Sequence, residues 1–560
     1  MEESHLHFCP ENATTDIGIE SYTSLVDMLD QACRKHGSRR ALVFMGHDLR
    51  YEQLDRSADA VAAWLSRQGL APGARVALMM PNVMPYMVAL LGVLRAGMVV
   101  VNVNPLYTAR ELEHQLRDSG ADAIFILENF AATLAAVPTE ALPRRVVLVS
   151  VGDMLGIKGH AINLVLRYIK RAIPAYSLAG TSRFAAVLQE GANLSWSRPQ
   201  VSMDDVAILQ YTGGTTGTPK AAMLTQRNLV ANVLQVQAVA QSALGKLPGE
   251  PFVVLGALPL YHIFALTLCG LLAAHTGMCT VLIANPRDSA SVFRAWRRDP
   301  VHIFPGVNTL FNSLVNREGF AALDFSRLRL CLGGGAAVQK SVADKWQAIT
   351  GLPLIEGYGL SETSPVVAAN PTNATSHSGD IGFPLPLTEV MLLDDQGRQA
   401  PPGESGELAV RGPQVMLGYW QRPDETRDAF SDEGYFKTGD IAVISVEGRL
   451  RLVDRKKDMI LVSGFNVYPN EIEEVVAEHP GVLECAAVGV PDGKTGEAIK
   501  LFVVKKDAGL DEQALRDWCR RCLTAYKRPH LFEFRTELPK SNVGKILRRA
   551  LRDEALAGAR

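Results

Sequence analysis

Ala207-Ile-Leu-Gln-Tyr-Thr-Gly-Gly-Thr-Thr-Gly-Thr-Pro-Lys220 joins a short apolar run to a loop rich in glycine and threonine. The apolar part, residues 207–210, predicts a buried strand. The glycines allow the backbone to approach an anion closely, and Lys220 adds a positive charge beside the threonine hydroxyls. The stretch thus predicts a polyphosphate-binding loop at the end of a strand, although a flexible linker has a similar composition. It is not a Walker A loop, because no Gly-Lys-Ser/Thr closes it.

Outward from this loop, short apolar runs alternate with helical patterns over most of the chain. Buried strands are predicted at 75–79, 98–103, 123–127 and 146–151, and helices at 51–68 and 84–95. This alternation predicts an α/β fold with mainly parallel sheets. After about residue 380, turn-rich strands predict a β-rich subdomain. We therefore predict an N-terminal domain over 1–453, a hinge at the charged block 454–458, and a small mobile α+β lid domain over 459–560.

Composition excludes several classes of protein. The chain has 560 residues and a net charge of −2, so no basic field points to nucleic acid. Eight cysteines are few for this length, and the Cys519–Cys522 pair lies in a predicted helix, so we expect no disulfides and no metal or redox chemistry at this pair. The start of the chain has no apolar signal segment. We expect a cytoplasmic metabolic enzyme.

Two segments bear on membrane contact. Residues 251–286 contain no charged side chain, but Pro259 and several glycines interrupt them, so they predict a buried strand, helix and strand at 252–257, 264–274 and 279–284. Residues 158–176 form a basic amphipathic pattern, in which Leu164 and Tyr168 share one face. Such a helix can lie on an anionic membrane. We favour the alternative of a surface helix that packs on its own domain.

Three further motifs carry chemical groups. In Glu356-Gly-Tyr-Gly-Leu-Ser-Glu-Thr363, Tyr358 offers a flat face to a purine, and Glu362 offers an oxygen ligand of the kind Mg²⁺ prefers. In Tyr435-Phe-Lys-Thr-Gly-Asp440, the last carboxylate can accept both ribose hydroxyls. In Pro539-Lys-Ser-Asn-Val-Gly-Lys-Ile-Leu-Arg-Arg549, Lys545 follows a glycine turn and can reach into another domain. Taken singly, each motif also suits an ordinary turn or a basic tail.

Together and in this order, the four motifs resemble those of the adenylate-forming superfamily, which includes acyl-CoA synthetases, adenylation domains and firefly luciferase. YTGGTTGTPK resembles the superfamily's phosphate loop, GYGLSET its adenine motif, YFKTGD its ribose motif, and PKSNVGKILRR its catalytic-lysine motif. The agreement runs from about residue 20 to 550. Residues 448–474 look like the signature of fatty-acyl-CoA synthetases, and the chain is similar to bacterial long-chain fatty-acid–CoA ligases.

The resemblance implies a role for each matching residue. Lys545, Glu362, Lys220 and Thr212 would be catalytic, with Thr212 and Glu362 also holding Mg²⁺. Residues that bind ATP and AMP would be Tyr211, Thr212, Gly213, Gly214, Thr215, Thr216, Gly217, Lys220, Gly334, Gly335, Glu356, Gly357, Tyr358, Gly359, Asp440 and Arg455. The acyl pocket would include His262, Phe264 and Gly306. Gly464 and Phe465 would line a coenzyme A tunnel, and Lys457 would be the hinge.

The implied reaction is ATP-dependent ligation of a medium- to long-chain fatty acid to coenzyme A through an acyl-adenylate, with release of AMP and pyrophosphate. Two residues depart from the pattern. Ala221 stands where glycine is usual, and no tryptophan gate follows His262, so the gate of the acyl tunnel and the preferred chain length stay unassigned. A peripheral contact with the inner face of the cell membrane and a homodimer also stay open.

Four alternatives to this reaction remain. The enzyme would activate another hydrophobic carboxylic acid, transfer the acyl group to a carrier protein, act as a luciferase-like oxygenase, or bind acyl groups without catalysis. No charged residue stands out as one that would bind the amino group of a substrate, which argues against amino-acid activation.

Overall fold

The computed structural model describes residues 16–212, 219–244, 251–401, 403–463, 465–541 and 544–557. A nine-stranded sheet, parallel through its centre, is one of two large sheets in these residues. In spatial order its strands are Phe383–Pro384, Val366–Ala369, Leu354–Gly359, Leu330–Gly333, Ile303–Gly306, Val253–Gly256, Cys279–Leu282, Arg40–Phe44 and His47–Arg50.

The second large sheet has eight strands and is also parallel through its centre. In spatial order they are Gly418–Tyr419, Lys220–Thr225, Val206–Thr212, Val99–Asn102, Arg75–Met79, Ala123–Leu127, Arg145–Val149 and Thr181–Arg183. The helix Met84–Arg95 contacts strands of both sheets, and all of its residues are buried. Because such sheets are covered on both faces, their strands read as continuous apolar runs.

Helices connect and cover these strands. The α-helices are Leu25–His36, Tyr51–Ser66, Met84–Arg95, Ala109–Ser119, Ala131–Ala135, Gly156–Leu164, Phe184–Gly191, Gln226–Leu244, Ile263–Ala265, Ala273–Thr276, Ser289–Arg298, Asn308–Val315, Lys340–Thr350, Pro423–Ala429, Pro469–Ala477, Glu512–Cys522 and Arg548–Ala557. Two π-helical segments, Val165–Ile169 and Leu266–Leu272, continue helices of this set. Short 3-10 turns lie at Ile19–Ser21, Glu128–Phe130, Thr139–Ala141, Ser361–Thr363 and Ala525–Lys527.

Two smaller sheets follow along the chain. An antiparallel sheet contains Glu389–Leu393, Gly406–Arg411, Phe436–Ile444 and Leu450–Arg455. A five-stranded sheet contains Phe465–Val467, Ile460–Val462, Gly496–Lys505, Val482–Asp492 and Leu531–Arg535. The strand Leu450–Arg455 ends two residues beyond the predicted domain boundary, because Asp454 and Arg455 still pair with the neighbouring strand.

The predicted fold class is confirmed: two large sheets with parallel strands precede a β-rich sheet and a small α+β unit. Residues 251–286 contain a strand, a helix with a central π-helical segment, and a second strand, and most of their apolar side chains are buried. No helix of the described ranges has both the length and the apolar character needed to cross a membrane.

The predicted amphipathic segment is a surface helix that packs on its own domain through Gly159 and Ile162. The helix begins at Gly156 and ends, after its π-helical turn, at Ile169. The face that carries Leu164 and Tyr168 points outward, since these residues are 59% and 69% exposed. A different apolar side chain, Ile162, packs against the core. Periodicity predicted the helix but did not indicate which of its two apolar faces packs.

Candidate active site

Several of the predicted site residues lie where strands of the two large sheets end. Gly306, Gly333 and Glu356 are in register on three adjacent parallel strands. Thr212 ends a strand of the other sheet. In open α/β sheets, ligands bind beyond the carboxyl ends of the strands.

Close packing around Gly334 joins the predicted acyl and adenine residues. A Cβ atom on Gly334 would lie 3.0 Å from the Phe264 ring and 3.3 Å from the Gly357 carbonyl oxygen, so a side chain here would require these groups to move apart by a few tenths of an ångström. The amide of Gly334 donates to the carbonyl of Gly306 at 3.3 Å. Gly335 has a φ of +76°, a conformation that also favours glycine.

The Phe311 ring occupies the space beside Gly306. A Cβ atom on Gly306 would lie 2.6 Å from this ring, so the absence of a side chain at Gly306 serves packing in the described structure. The expectation that Gly306 lines an acyl pocket therefore stays a prediction.

Tyr358, Asp440 and Arg455 form one buried polar cluster. The Tyr358 hydroxyl donates to Asp440 Oδ2 at 2.5 Å, and Arg455 Nε lies 2.9 Å from Asp440 Oδ1. Burial and the Asp440 charge raise the pKa of Tyr358 well above its usual value, so the phenol keeps its proton. The cluster brings together the predicted adenine and ribose motifs, which are 82 positions apart in sequence.

The neighbouring Glu356 is bound on both of its oxygens. Oε1 accepts from the amide of Val338 at 2.7 Å, and Oε2 lies 2.7 Å from His377 Nε2. Burial alone would lower the pKa of His377, but the hydrogen bond and the charge of Glu356 outweigh it and raise this pKa. Glu356 thus fixes the turn that follows Gly334 and Gly335.

Tyr419 contacts both Glu362 and Lys220. The Tyr419 hydroxyl donates to Glu362 Oε1 at 2.9 Å, and the Lys220 Nζ lies 5.2 Å from the centre of the Tyr419 ring. Burial raises the pKa of Glu362. A cation beside this carboxylate would stabilise its charged form. In this structure Lys220 is not free for a phosphate, because it pairs with Glu425 at 2.6 Å.

Lys545 belongs to the C-terminal unit, and the charges of Arg455 and Asp440 in the Tyr358–Asp440–Arg455 cluster act on it. The preceding carbonyl, of Gly544, accepts from Thr309 Oγ1 at 2.9 Å, which ties the lysine turn to the large domain. Burial, and then the charge of Arg455, lower the pKa of Lys545 to about 8. Burial, and then the charge of Lys545, lower the pKa of His262 to about 4. The Lys545 side chain is exposed to solvent, so the surrounding protein removes it from water only in part.

The predicted hinge is held by a second set of charges. Arg548 lies 3.0 Å from Asp454 and 2.6 Å from Glu473. The Asp454 side chain is fully buried. Lys457 itself is exposed, and its carbonyl accepts from Arg552 at 3.3 Å.

Several predicted residues lie outside this arrangement. The Tyr211 hydroxyl donates to Asp118 at 2.6 Å, so this side chain turns into the sheet. Phe465 is exposed and stacks on Tyr526 at 4.7 Å between ring centres. The following predicted residues lie outside the described part of the chain: Gly213, Gly214, Thr215, Thr216, Gly217 and Gly464.

Sequence reasoning missed four residues that support the site. Tyr419, Glu425, Thr309 and Arg548 contact Glu362, Lys220, the lysine turn and the hinge respectively. Arg548 lies within the catalytic-lysine motif, so the sequence alone could have identified it as a site residue. The others lie outside the recognised motifs, and only the folded chain brings them to the site.

Comparisons with known proteins show the family to which the chain belongs. Residues 29–420 match the family described as AMP-binding enzyme, and residues 471–545 match the AMP-binding enzyme C-terminal domain. A long-chain-fatty-acid–CoA ligase of Escherichia coli O6:H1 is 54% identical over 557 residues, covering 99% of each chain. A feruloyl-CoA synthase of an Amycolatopsis species is 34% identical, covering 90% of this chain and 94% of its own. The crystal structure of the anthranilate CoA ligase AuaEII with anthranoyl-AMP superposes with a TM-score of 0.83 at 25% identity, covering 96% of this chain and 98% of its own.

Proposed function

The chain belongs to the AMP-binding enzyme family, and from this premise we propose that it ligates a fatty acid to coenzyme A at the cost of ATP. The observation that carries the proposal is the hydrogen bond of 2.9 Å from Thr309 Oγ1 to the Gly544 carbonyl, which holds the Lys545 turn on the large domain, where the charges of Arg455 and Asp440 act on Lys545. Full-length similarity to a long-chain-fatty-acid–CoA ligase supports a fatty acid as the substrate.

In the first half-reaction, the fatty acid carboxylate attacks the α-phosphorus of ATP, and the bond to pyrophosphate breaks. The product is an acyl-adenylate, a mixed anhydride that acylates far better than a carboxylate. Negative charge grows on the phosphate oxygens, so the site must supply positive charge at fixed positions. We assign that task to Lys545 and, once it leaves Glu425, to Lys220.

The Tyr358–Asp440–Arg455 cluster would orient the nucleotide. Asp440, held by Tyr358 and Arg455, would accept the ribose hydroxyls, and the Tyr358 ring would face adenine. Gly334, Gly335 and the turn fixed by Glu356 would line the base. These contacts place the α-phosphorus rather than activate it.

Mg²⁺ suits the donor set beside Lys220. Glu362 is a buried carboxylate whose pKa is raised by burial, and Thr212 adds a hydroxyl. One protein carboxylate is enough, because Mg²⁺ in such sites completes its shell with substrate phosphates and water. When bound, the ion would neutralise charge on the leaving pyrophosphate.

The second half-reaction needs a different arrangement of the C-terminal unit. The Lys545 turn is held on the large domain by Thr309, whereas Phe465 is exposed and stacks on Tyr526. We propose that the unit turns about residues 454–458, with Lys457 as hinge, so that Lys545 leaves and Gly464 and Phe465 line the path of coenzyme A. The thiolate then attacks the acyl carbonyl, and AMP leaves.

The acyl chain would lie beyond His262 and Phe264. Because burial and Lys545 lower the pKa of His262 to about 4, His262 is neutral at neutral pH and puts no charge at the pocket mouth. Each methylene buried from water contributes about 0.8 kcal/mol, so an apolar pocket alone can hold a medium or long chain. An aromatic acid is the second candidate, supported by the weaker similarity to a feruloyl-CoA synthase.

We also propose that the enzyme works in the cytoplasm at the inner face of the membrane, where long-chain acids concentrate. Such acids partition into bilayers for the same reason that they bind an apolar pocket. Supply of acyl-CoA for fatty-acid degradation would be its metabolic role.

The test is turnover of the purified protein with ATP, Mg²⁺ and fatty acids of increasing length, each with and without coenzyme A. AMP and acyl-CoA are quantified by mass spectrometry. We expect acyl-CoA formation that depends on coenzyme A and peaks at a medium or long chain. Turnover confined to aromatic acids, or acyl-adenylate that ignores coenzyme A, would contradict the proposal.

A further inference from the structure

A long basic segment lies between the first α/β motifs and the phosphate loop. From Asp153 to Glu190 the chain contains no other acidic residue, whereas its overall net charge is −2. The positive residues in this interval are Lys158, Arg167, Lys170, Arg171 and Arg183. The local excess of positive charge is therefore a property of this segment, not of the whole chain.

One face of the helix that begins at Gly156 is fixed to the domain. A Cβ atom on Gly159 would lie 1.9 Å from the carbonyl oxygen of Gly152, so the two backbones are in direct contact. Asn163 Oδ1 accepts from the Gly152 amide at 2.8 Å, and Ile162 packs against the main core.

The opposite face is apolar and exposed. Ile157, Leu164 and Tyr168 are spaced as neighbours on one helix face, and they are 91%, 59% and 69% exposed. Ile169, at the end of the helix, is 75% exposed. Met45 lies beside them, because its carbonyl accepts from Lys158 Nζ at 2.5 Å. We call these five side chains the outer apolar face.

A buried carboxylate locks this arrangement. Glu128 is 1% exposed and binds Arg167 at 2.5 Å, Arg183 at 2.8 Å and the Tyr176 hydroxyl at 2.5 Å. These contacts hold Arg167 and Arg183 against the domain, and the single charge of Glu128 offsets only one of the two positive charges. Lys158, Lys170 and Arg171 stay at the surface around the outer apolar face.

We propose that the outer apolar face and these three cations form a docking surface for an anionic lipid bilayer. The proposal rests on the proposed fatty-acid ligase function, which places the substrate in membranes. Contiguous exposed apolar side chains mark interaction sites, and basic residues beside them favour anionic headgroups. Charge disfavours a dimer formed through this face, because a two-fold axis would place the basic segment of one copy against the same segment of the other.

Vesicle partitioning of the full-length protein tests the proposal. Vesicles of phosphatidylglycerol and phosphatidylethanolamine are compared with vesicles of phosphatidylcholine alone. The double variant Ile157→Ser/Ile169→Ser should lower the partition coefficient at least about tenfold, because two exposed apolar side chains lose their insertion. The matched control is Val446→Ser, since Val446 is 97% exposed on a distant turn, and it should bind like the parent. Lys170→Gln/Arg171→Gln should weaken binding to the anionic vesicles alone.

Two outcomes overturn the proposal. One is unchanged partitioning of Ile157→Ser/Ile169→Ser. The other is a parent dimer, seen by analytical ultracentrifugation, that the same variant converts to monomer while its partitioning stays unchanged. Turnover of octanoate without vesicles is measured in parallel and should be equal in all variants. A parent protein inactive on every acid would refute the ligase function separately, whatever the vesicles show.

Discussion

Lys545 should lose its proton near pH 8, and the first half-reaction should weaken as the pH rises past that value. Burial and the neighbouring Arg455 lower its pKa to about 8, from an ordinary value above 10. Lowering the pKa of a lysine favours its neutral form, so the positive charge is present below pH 8 and lost above it. If only the ammonium form supports adenylation, the rate must follow the protonated fraction.

The magnitude follows from that pKa. With a pKa of about 8, ~0.8 of Lys545 is protonated at pH 7.4 and ~0.09 at pH 9. We therefore expect kcat/KM for adenylation to fall about ninefold over this interval, because kcat/KM reports the titration of the free enzyme. The rate is measured by exchange of labelled pyrophosphate into ATP without coenzyme A.

Variants separate Lys545 from other groups that titrate. Lys545→Arg keeps its charge throughout, so its lower rate should be flat from pH 7.4 to 9. Lys545→Ala should be slow and flat, yet should convert supplied acyl-adenylate to acyl-CoA at near the parent rate. Arg549→Ala removes one charge from the same segment at a half-exposed position, and should behave like the parent. A ninefold fall that persists in Lys545→Ala, or equal loss of both half-reactions, would refute the reasoning.

Four other changes test the arrangement. Thr309→Val removes the hydrogen bond to the Gly544 carbonyl, so pyrophosphate exchange should fall several-fold while thioester formation from acyl-adenylate is spared; equal loss in both would contradict this. Tyr358→Phe removes a hydrogen bond to a charged carboxylate, worth about 1.5–3 kcal/mol, so KM for ATP should rise at least about tenfold with little change for the fatty acid. Glu362→Gln should raise the Mg²⁺ concentration needed for half-maximal exchange, and an unchanged Mg²⁺ titration would exclude Glu362 as a ligand. Arg548→Met leaves Asp454 and Glu473 buried without their partner, so stability should fall by about 3–5 kcal/mol, measured by thermal unfolding.

Much of the fold was predictable because the sheets are covered on both faces. The apolar runs 76–79 and 123–127 predict strands, and the structure has strands at Arg75–Met79 and Ala123–Leu127. Boundaries were less secure where a strand continues through polar residues. The strand ending at Arg455 is the example, since its last residues are charged but still pair with Asp440 and Ile441.

Residue types at the site were predictable, but their partners were not. Tyr358 and Asp440 lie in recognisable motifs, whereas the ion pair of Lys220 with Glu425 joins residues 205 positions apart. Nothing in a linear pattern reports such a pair. The helix from Gly156 shows a second limit, because Ile162 and Leu164 both offer an apolar face and only the contact of Gly159 with Gly152 decides between them.

The central claim is that one site forms an acyl-adenylate and then passes the acyl group to coenzyme A. The most direct measurement is a single-turnover chase: excess enzyme is mixed with ATP, Mg²⁺ and a long-chain fatty acid, and coenzyme A is added after a delay. We expect acyl-adenylate to accumulate first and then to disappear, with acyl-CoA and AMP rising in equal amounts. Acyl-adenylate that persists after coenzyme A is added, or acyl-CoA that forms with ADP and phosphate as products, would contradict the account.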